Sequence, residues 1–156
     1  MPINNQKGFT IIESLVAFMI LTTAVIPALY VSRLANSISA SIRNNMAASG
    51  LAQEGVEIVR ALRDQHWNNG LPFDQGLAGS WRVQYNSNSL IAIADNPPLK
   101  ISNGLYNYNS GTDTIFKRTL TIAKINGAVQ IISDVTWTER ERSKDVRVES
   151  YLYDWK

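Results

Sequence analysis

The sequence predicts an α+β protein in which one long N-terminal α-helix packs on a small antiparallel β-sheet. Three observations carry that reading. An apolar run from Phe9 to Val31 is broken by a single charge, Glu13, and a single helix breaker, Pro27. Apolar residues then keep recurring at steps of three and four as far as Val59, which is helical spacing. From Ser80 the period changes to two, and Asn126-Gly127 separates two such stretches as a hairpin turn would.

The apolar run has the length of about 20 residues that a helix needs to cross about 30 Å of hydrocarbon. A carboxylate inside such a run is costly in lipid and is normally kept there by a partner or a function. Residues 1–8 are short and polar, and Pro2, Asn4 and Asn5 argue against a helix start among them.

Lys7-Gly8-Phe9-Thr10-Ile11-Ile12-Glu13 resembles the processing and assembly motif of type IV pilins and type II secretion pseudopilins. The resemblance implies a type IV pilin-like fold and a prepilin peptidase that cuts between Gly8 and Phe9. It further implies N-methylation of Phe9 and a role in subunit assembly for Phe9, Glu13 and Pro27. The segment from Glu54 to Asp64, followed by Trp67, is similar to PilV-like minor pilins, a weaker match. Two other readings of the N-terminus stay open. One is conventional signal cleavage near Ala24 or Ala28, although the run exceeds the usual signal h-region of about 7 to 15 residues. The other is a single-pass anchor that is never cut.

Past the apolar run, Leu34, Ile38, Ile42, Met46, Ser49, Ala52, Val56 and Val59 are expected to share one helix face. Gly50 and Gly55 would let neighbouring backbones approach closely. Counted from Thr10 to Asp64, the helix would be about 80 Å long at about 1.5 Å per residue. A small domain has no internal use for such a rod, so its first half must be buried in bilayer or in neighbouring copies. Pro27 predicts a kink or local melting around Thr23–Pro27, with the Thr22 and Thr23 hydroxyls free to serve the released carbonyls. In the resembling family a proline here marks a segment that unwinds as subunits leave the membrane; a static kink is the competing reading.

The expected organisation is therefore a leader over 1–8, an apolar membrane and assembly segment over 9–31, an amphipathic half-helix over 32–64 and a β-sheet head over 65–156. The head opens with a loop through Gly76 pinned by Trp67 and Phe73, in which His66 is read as a capping or surface residue. Strands are expected at Trp81–Tyr85, Leu90–Ala94, Ile115–Ile125, Ala128–Thr138 and from Val146 to Leu152, closing at Trp155. Residues 103–113 read as an exposed loop. Its Asn107, Asn109 and Asp113 raise calcium, which some pseudopilins bind, although the spacing is not that of an EF-hand. Glu139 to Lys144 reads as a charged turn with Glu and Arg neutralising one another.

The formal net charge is +2, and one of the 15 basic residues, Lys7, would leave with the leader, against 13 acidic ones. That balance gives no reason to expect nucleic-acid binding, which stays an unsupported option. With no cysteine there is no disulfide, thiol nucleophile or thiolate metal site; many Gram-negative pilins have such a disulfide, so here packing and hydrogen bonds must hold the head. No nucleophile elbow, phosphate loop or histidine cluster is present, so no enzyme and no cofactor is expected. Glu54 and Glu57, three apart on the helix, read as a solvated face. The function implied is a structural subunit, a minor pilin or pseudopilin, held in the cytoplasmic membrane before joining other subunits in a filament outside the cytoplasm. The alternative is a pilus-tip or membrane-held module whose head contacts DNA, glycans or a surface.

Overall fold

The computed structural model describes residues 8–154. The leader positions 1–7 and Trp155 lie outside the described residues. One helix, α1 (Ile11–Asn68), is followed by β1 (Gly79–Arg82), β2 (Ile91–Ala92), β3 (Lys100–Ser102), β4 (Leu105–Asn107), β5 (Thr112–Asp113), β6 (Lys117–Ile125), β7 (Ala128–Glu139) and β8 (Arg142–Tyr153). The expected α+β, type IV pilin-like arrangement of a long N-terminal helix on antiparallel strands is the observed one. Packing divides the described residues into two units, one ending at Ile42 and one beginning at Arg43.

In the first unit the helix runs unbroken through Pro27, so the melting expected around Thr23–Pro27 does not occur. Nor do the threonines serve the carbonyl that Pro27 leaves free. The Thr22 hydroxyl donates to the Met19 carbonyl (2.9 Å) and the Thr23 hydroxyl to that of Ile20 (2.8 Å), both one turn earlier.

The second unit has the C-terminal half of α1 laid on a five-stranded antiparallel sheet of order β2-β1-β6-β7-β8. The buried stripe of the helix is Ala48, Leu51, Ala52, Gly55, Val56, Val59 and Leu62. It is rotated from the expected face: Ala52, Val56 and Val59 are buried, whereas Met46 is 71% exposed. Helical spacing alone fixes a period but not which residues of a broad apolar arc meet the sheet. On the sheet side Phe116, Leu120, Ile122, Val129, Ile131, Val135, Trp137 and Leu152 point inward as the alternation predicts. Gly55 marks the closest approach. A Cβ built there would lie 2.7 Å from Ser133 Oγ and 3.1 Å from Leu120 Cδ2, while at Gly50 nothing comes within 4 Å.

The helix ends four residues later than Asp64, and carries His66 and Trp67 in its last turn. Its stop is a Schellman motif: Gly70 takes a φ of 71°, Gly70 N–H bonds the Trp67 carbonyl (3.0 Å) and Leu71 N–H that of His66 (3.0 Å). Pro72 follows. Trp67 and Phe73 do meet, with ring centroids 6.2 Å apart.

Asn126-Gly127 makes the expected hairpin, with φ of 50° and 80° between paired Ile125 and Ala128. The charged turn is tighter than expected. Only Arg140 and Glu141 turn, at φ of 51° and 64°, and Arg142 to Lys144 already pair with β7. Among the described residues Arg140, Glu141 and Arg142 form no ion pair. Residues 103–113 are not a plain loop. With Lys100–Ser102 they build a second sheet of order β4-β3-β5, turned at Asn103-Gly104 with φ of 50° and 79°. Leu99 anchors that sheet: it is fully buried, and its N–H bonds the Phe116 carbonyl (2.8 Å). The strands expected at Trp81–Tyr85 and Leu90–Ala94 shrink to β1 and the two-residue edge β2.

Candidate functional site

Gly8, Phe9 and Thr10 precede the helix, carry no regular structure and are exposed, so the Gly8–Phe9 bond is accessible. Thr10 caps the helix. Its Oγ1 accepts from the Glu13 backbone N–H (3.3 Å), and its carbonyl accepts from the Ser14 N–H (3.2 Å). Thr-x-x-Glu is the capping-box pattern, so the same Glu13 that interrupts the apolar run stands at the third helical position. There the helix macrodipole tolerates a negative charge. Its carboxylate is exposed and has no hydrogen bond or ion pair among the described residues.

Around it, apart from a few hydroxyls, the surface is apolar. Phe9 is 72% exposed, Ile11 84% and Ile26 67%, and the exposed aliphatic and aromatic side chains continue to Val31. Length and composition make this one helix able to cross a membrane, with no part of the apolar window buried inside the chain. An apolar patch of that extent on a lone chain marks contact with lipid or protein.

Residues 3–29 match the family model of the prokaryotic N-terminal methylation motif. The match supports a type IV pilin-type prepilin processed at its leader, a structural subunit rather than an enzyme. It implies a prepilin peptidase and other pilins as partners, and agrees with membrane anchoring of the apolar helix. No curated protein and no solved structure matches the chain. The motif brings Gly8, Phe9 and Glu13 together at one helix end, whereas Pro27 lies several turns further along the same helix.

The head holds a site that the sequence reading missed. Arg118 stands on the inward face of β6 between Phe116 and Leu120 and is 0% exposed. Its Nη1 donates to the Leu51 carbonyl and to Glu54 Oε1, both at 2.9 Å, and its Nη2 donates to the Val83 carbonyl. Glu54 is therefore not on a solvated face: it is half-buried and paired across to the sheet. Glu57 is on one, in an exposed pair with Arg60. A charged residue at an even step between inward apolar residues was the available signal for Arg118. Tyr108 donates to the Arg118 carbonyl (3.4 Å), and burial pushes its phenol above its ordinary value, with the Arg118 cation acting the other way.

His66 sits in the last helical turn, half-buried, and its Nδ1 has no hydrogen-bond partner among the described residues. Among the described residues no group of three or more His, Cys, Asp or Glu is placed to hold a metal ion. In the segment raised for calcium, Asn107 Oδ1 accepts the N–H groups of Asn109 (2.9 Å) and Ser110 (2.8 Å), and Asp113 lies 4.0 Å from Lys100 Nζ. Those oxygens already serve the fold.

Proposed function

We propose that the chain is a minor subunit of a type IV pilus-like filament. In this reading, prepilin peptidase cuts between Gly8 and Phe9, Phe9 is N-methylated, and the mature chain polymerises through the helix over 9–31. The head over 65–156 stands outside the cytoplasm, and residues 32–64 link it to the assembly segment. The weak likeness of 54–67 to PilV-like proteins favours a minor over a major role.

The observation that carries the proposal is an apolar helix surface that bears one carboxylate unclaimed among the described residues. In a packed filament an unpaired Glu13 would cost several kcal/mol. The new α-amino group of Phe9 on an adjacent subunit is the charge that offsets it. Pairing the two fixes axial register, because a slip of one helical turn would strand both charges. Pro27, which lacks an N–H, leaves the helix one hydrogen bond short at the depth where a membrane segment must be remodelled for packing.

Mass spectrometry of the protein from cells tests the processing step: the reading requires an N-terminus at methylated Phe9, and an intact Met1 overturns it. Glu13→Ala tests assembly. The variant should insert into the membrane and fold as before, while its incorporation into sheared filaments falls at least tenfold; equal incorporation would refute the pairing.

A further inference from the structure

A cavity of about 160 Å³ opens on the head between the segment after β1 and the β3–β4 hairpin with the turn that follows it. Its wall includes Gln84, Tyr85, Asn86, Leu105, Asn107 and Ser110, and no charged side chain lines it. The volume is well below that of a drug-sized pocket and accommodates about one small ring.

The amides in this wall are oriented by the fold. Asn107 is 6% exposed, and its Oδ1 is fixed by the backbone N–H groups of Asn109 and Ser110. Its Nδ2 therefore carries two N–H donors with no acceptor among the described residues. A relay fixes the second amide: the Tyr108 N–H donates to Gln84 Oε1 (3.0 Å), and Gln84 Nε2 donates to Asn86 Oδ1 (2.8 Å). That leaves Asn86 Nδ2 as another donor without an acceptor. Asn86 is exposed and the Asn107 nitrogen opens on the cavity, so a ligand oxygen would take the place of the water that otherwise meets these donors. Beside these donors Tyr85 and Leu105 are 45% and 46% exposed, offering apolar surface at the rim.

We infer that this cavity binds a single neutral sugar ring, Asn107 and Asn86 donating to its hydroxyl or carbonyl oxygens while Tyr85 covers an apolar face. Cations are disfavoured because no carboxylate lines the cavity and the amide oxygens of Gln84, Asn86 and Asn107 already accept hydrogen bonds. Anions find no positive side chain in the lining. The inference is independent of filament assembly, since every residue it uses belongs to the head.

The test is a ¹H–¹⁵N NMR titration of the full chain in lauryldimethylamine oxide micelles, a detergent without a sugar headgroup. The probes are D-glucose, D-galactose, N-acetyl-D-glucosamine and inorganic phosphate. At least one sugar should shift the side-chain NH₂ signals of Asn86 and Asn107 saturably, with a Kd on the order of millimolar. Asn107→Asp keeps the oxygen that caps Asn109 and Ser110 but removes the donor, and should weaken binding about tenfold. Tyr85→Ala, at an exposed position that leaves the core intact, should weaken it as well. The inference is overturned if no sugar gives saturable shifts up to about 100 mM. It is also overturned if phosphate moves the same signals at equal or lower concentration, or if both variants bind the sugar as the parent does.

Discussion

Replacing Arg118 by Leu should be the most damaging single change in the head. The side chain is fully buried and makes three hydrogen bonds, to Leu51 O, Glu54 Oε1 and Val83 O. Leucine refills most of the aliphatic volume, so the loss is polar. The Val83 carbonyl loses its donor, at about 1–3 kcal/mol for an unsatisfied group, and the Leu51 carbonyl loses a second donor while keeping its helical one. Glu54 loses its cation too, but its side chain is 32% exposed, and water screens much of that effect. Breaking a buried pair from one side typically costs about 3–5 kcal/mol in all. Domains of this kind hold only about 5–15 kcal/mol. With a urea slope of about 2 kcal/mol/M, the midpoint should fall by about 2 M. Urea unfolding of the full chain in micelles, followed through the fluorescence of buried Trp137, measures it. Glu54→Gln, which keeps an acceptor, should cost only about 1 kcal/mol. Arg118→Lys should fall between, because one ammonium cannot reproduce the guanidinium fork. A midpoint shift below about 0.5 M for Arg118→Leu would mean that the buried cation does not tie helix to sheet.

Three further outcomes are expected. Gly55→Ala should destabilise by about 1–2 kcal/mol through overpacking against Ser133 Oγ, despite alanine's better helix propensity, and the Gly55→Ala/Ser133→Ala pair should recover most of that loss in a double-mutant cycle. Arg140→Asn with Glu141→Gly should stabilise by about 1 kcal/mol, a rise in Tm of about 4 °C by calorimetry, because two ordinary L-residues now hold left-handed φ in the β7–β8 turn. Stability should also fall in alkali. The Tyr108 phenol is held above its ordinary value of 10.0 by burial, so the folded state keeps a proton that the unfolded state releases, and stability present below pH 10 declines as pH rises through the folded value. Tyr108→Phe should flatten that decline in urea titrations between about pH 9 and 11.5; an unchanged slope would place the sensitivity elsewhere.

How much of this was legible in the chain depends on the length of the signal. The helix and the β6–β7–β8 meander were, because runs of nine or more residues repeat a period often enough to reveal it and Asn126-Gly127 declares its turn. Strands of two or three residues, as in the small sheet from Lys100 to Asp113, repeat nothing. They exist because Leu99 docks in the core and tertiary contacts hold the rest. The helix end was misplaced because Gln65, His66 and Trp67 resemble loop composition, while the stop signal, Gly70 followed by Pro72, lies just beyond. Arg118 was passed over because its burial depends on Leu51, Glu54 and Val83 converging from two other elements, which no local pattern encodes. At the N-terminus the motif singles out Gly8, Phe9 and Glu13, and the helix counted from Thr10 agrees with Thr10 as its cap. The unpartnered amide donors of the head cavity were not legible, since the outward end of Asn107 is decided by the Asn109 and Ser110 N–H groups and that of Asn86 by the Gln84 amide.

Arg118 meets Leu51 and Glu54 across sequence separations of 67 and 64 residues, and the strands that cover the helix are the last ones in the chain. As the polypeptide is synthesised from its N-terminus, Leu51, Val56 and Val59 thus emerge long before anything can shelter them. Closing so wide a loop is slow relative to local helix formation. The greasy stripe of the half-made subunit must wait for the later strands, and a truncation before β6 removes the Arg118, Leu120 and Ile122 cover as well as that of β7 and β8.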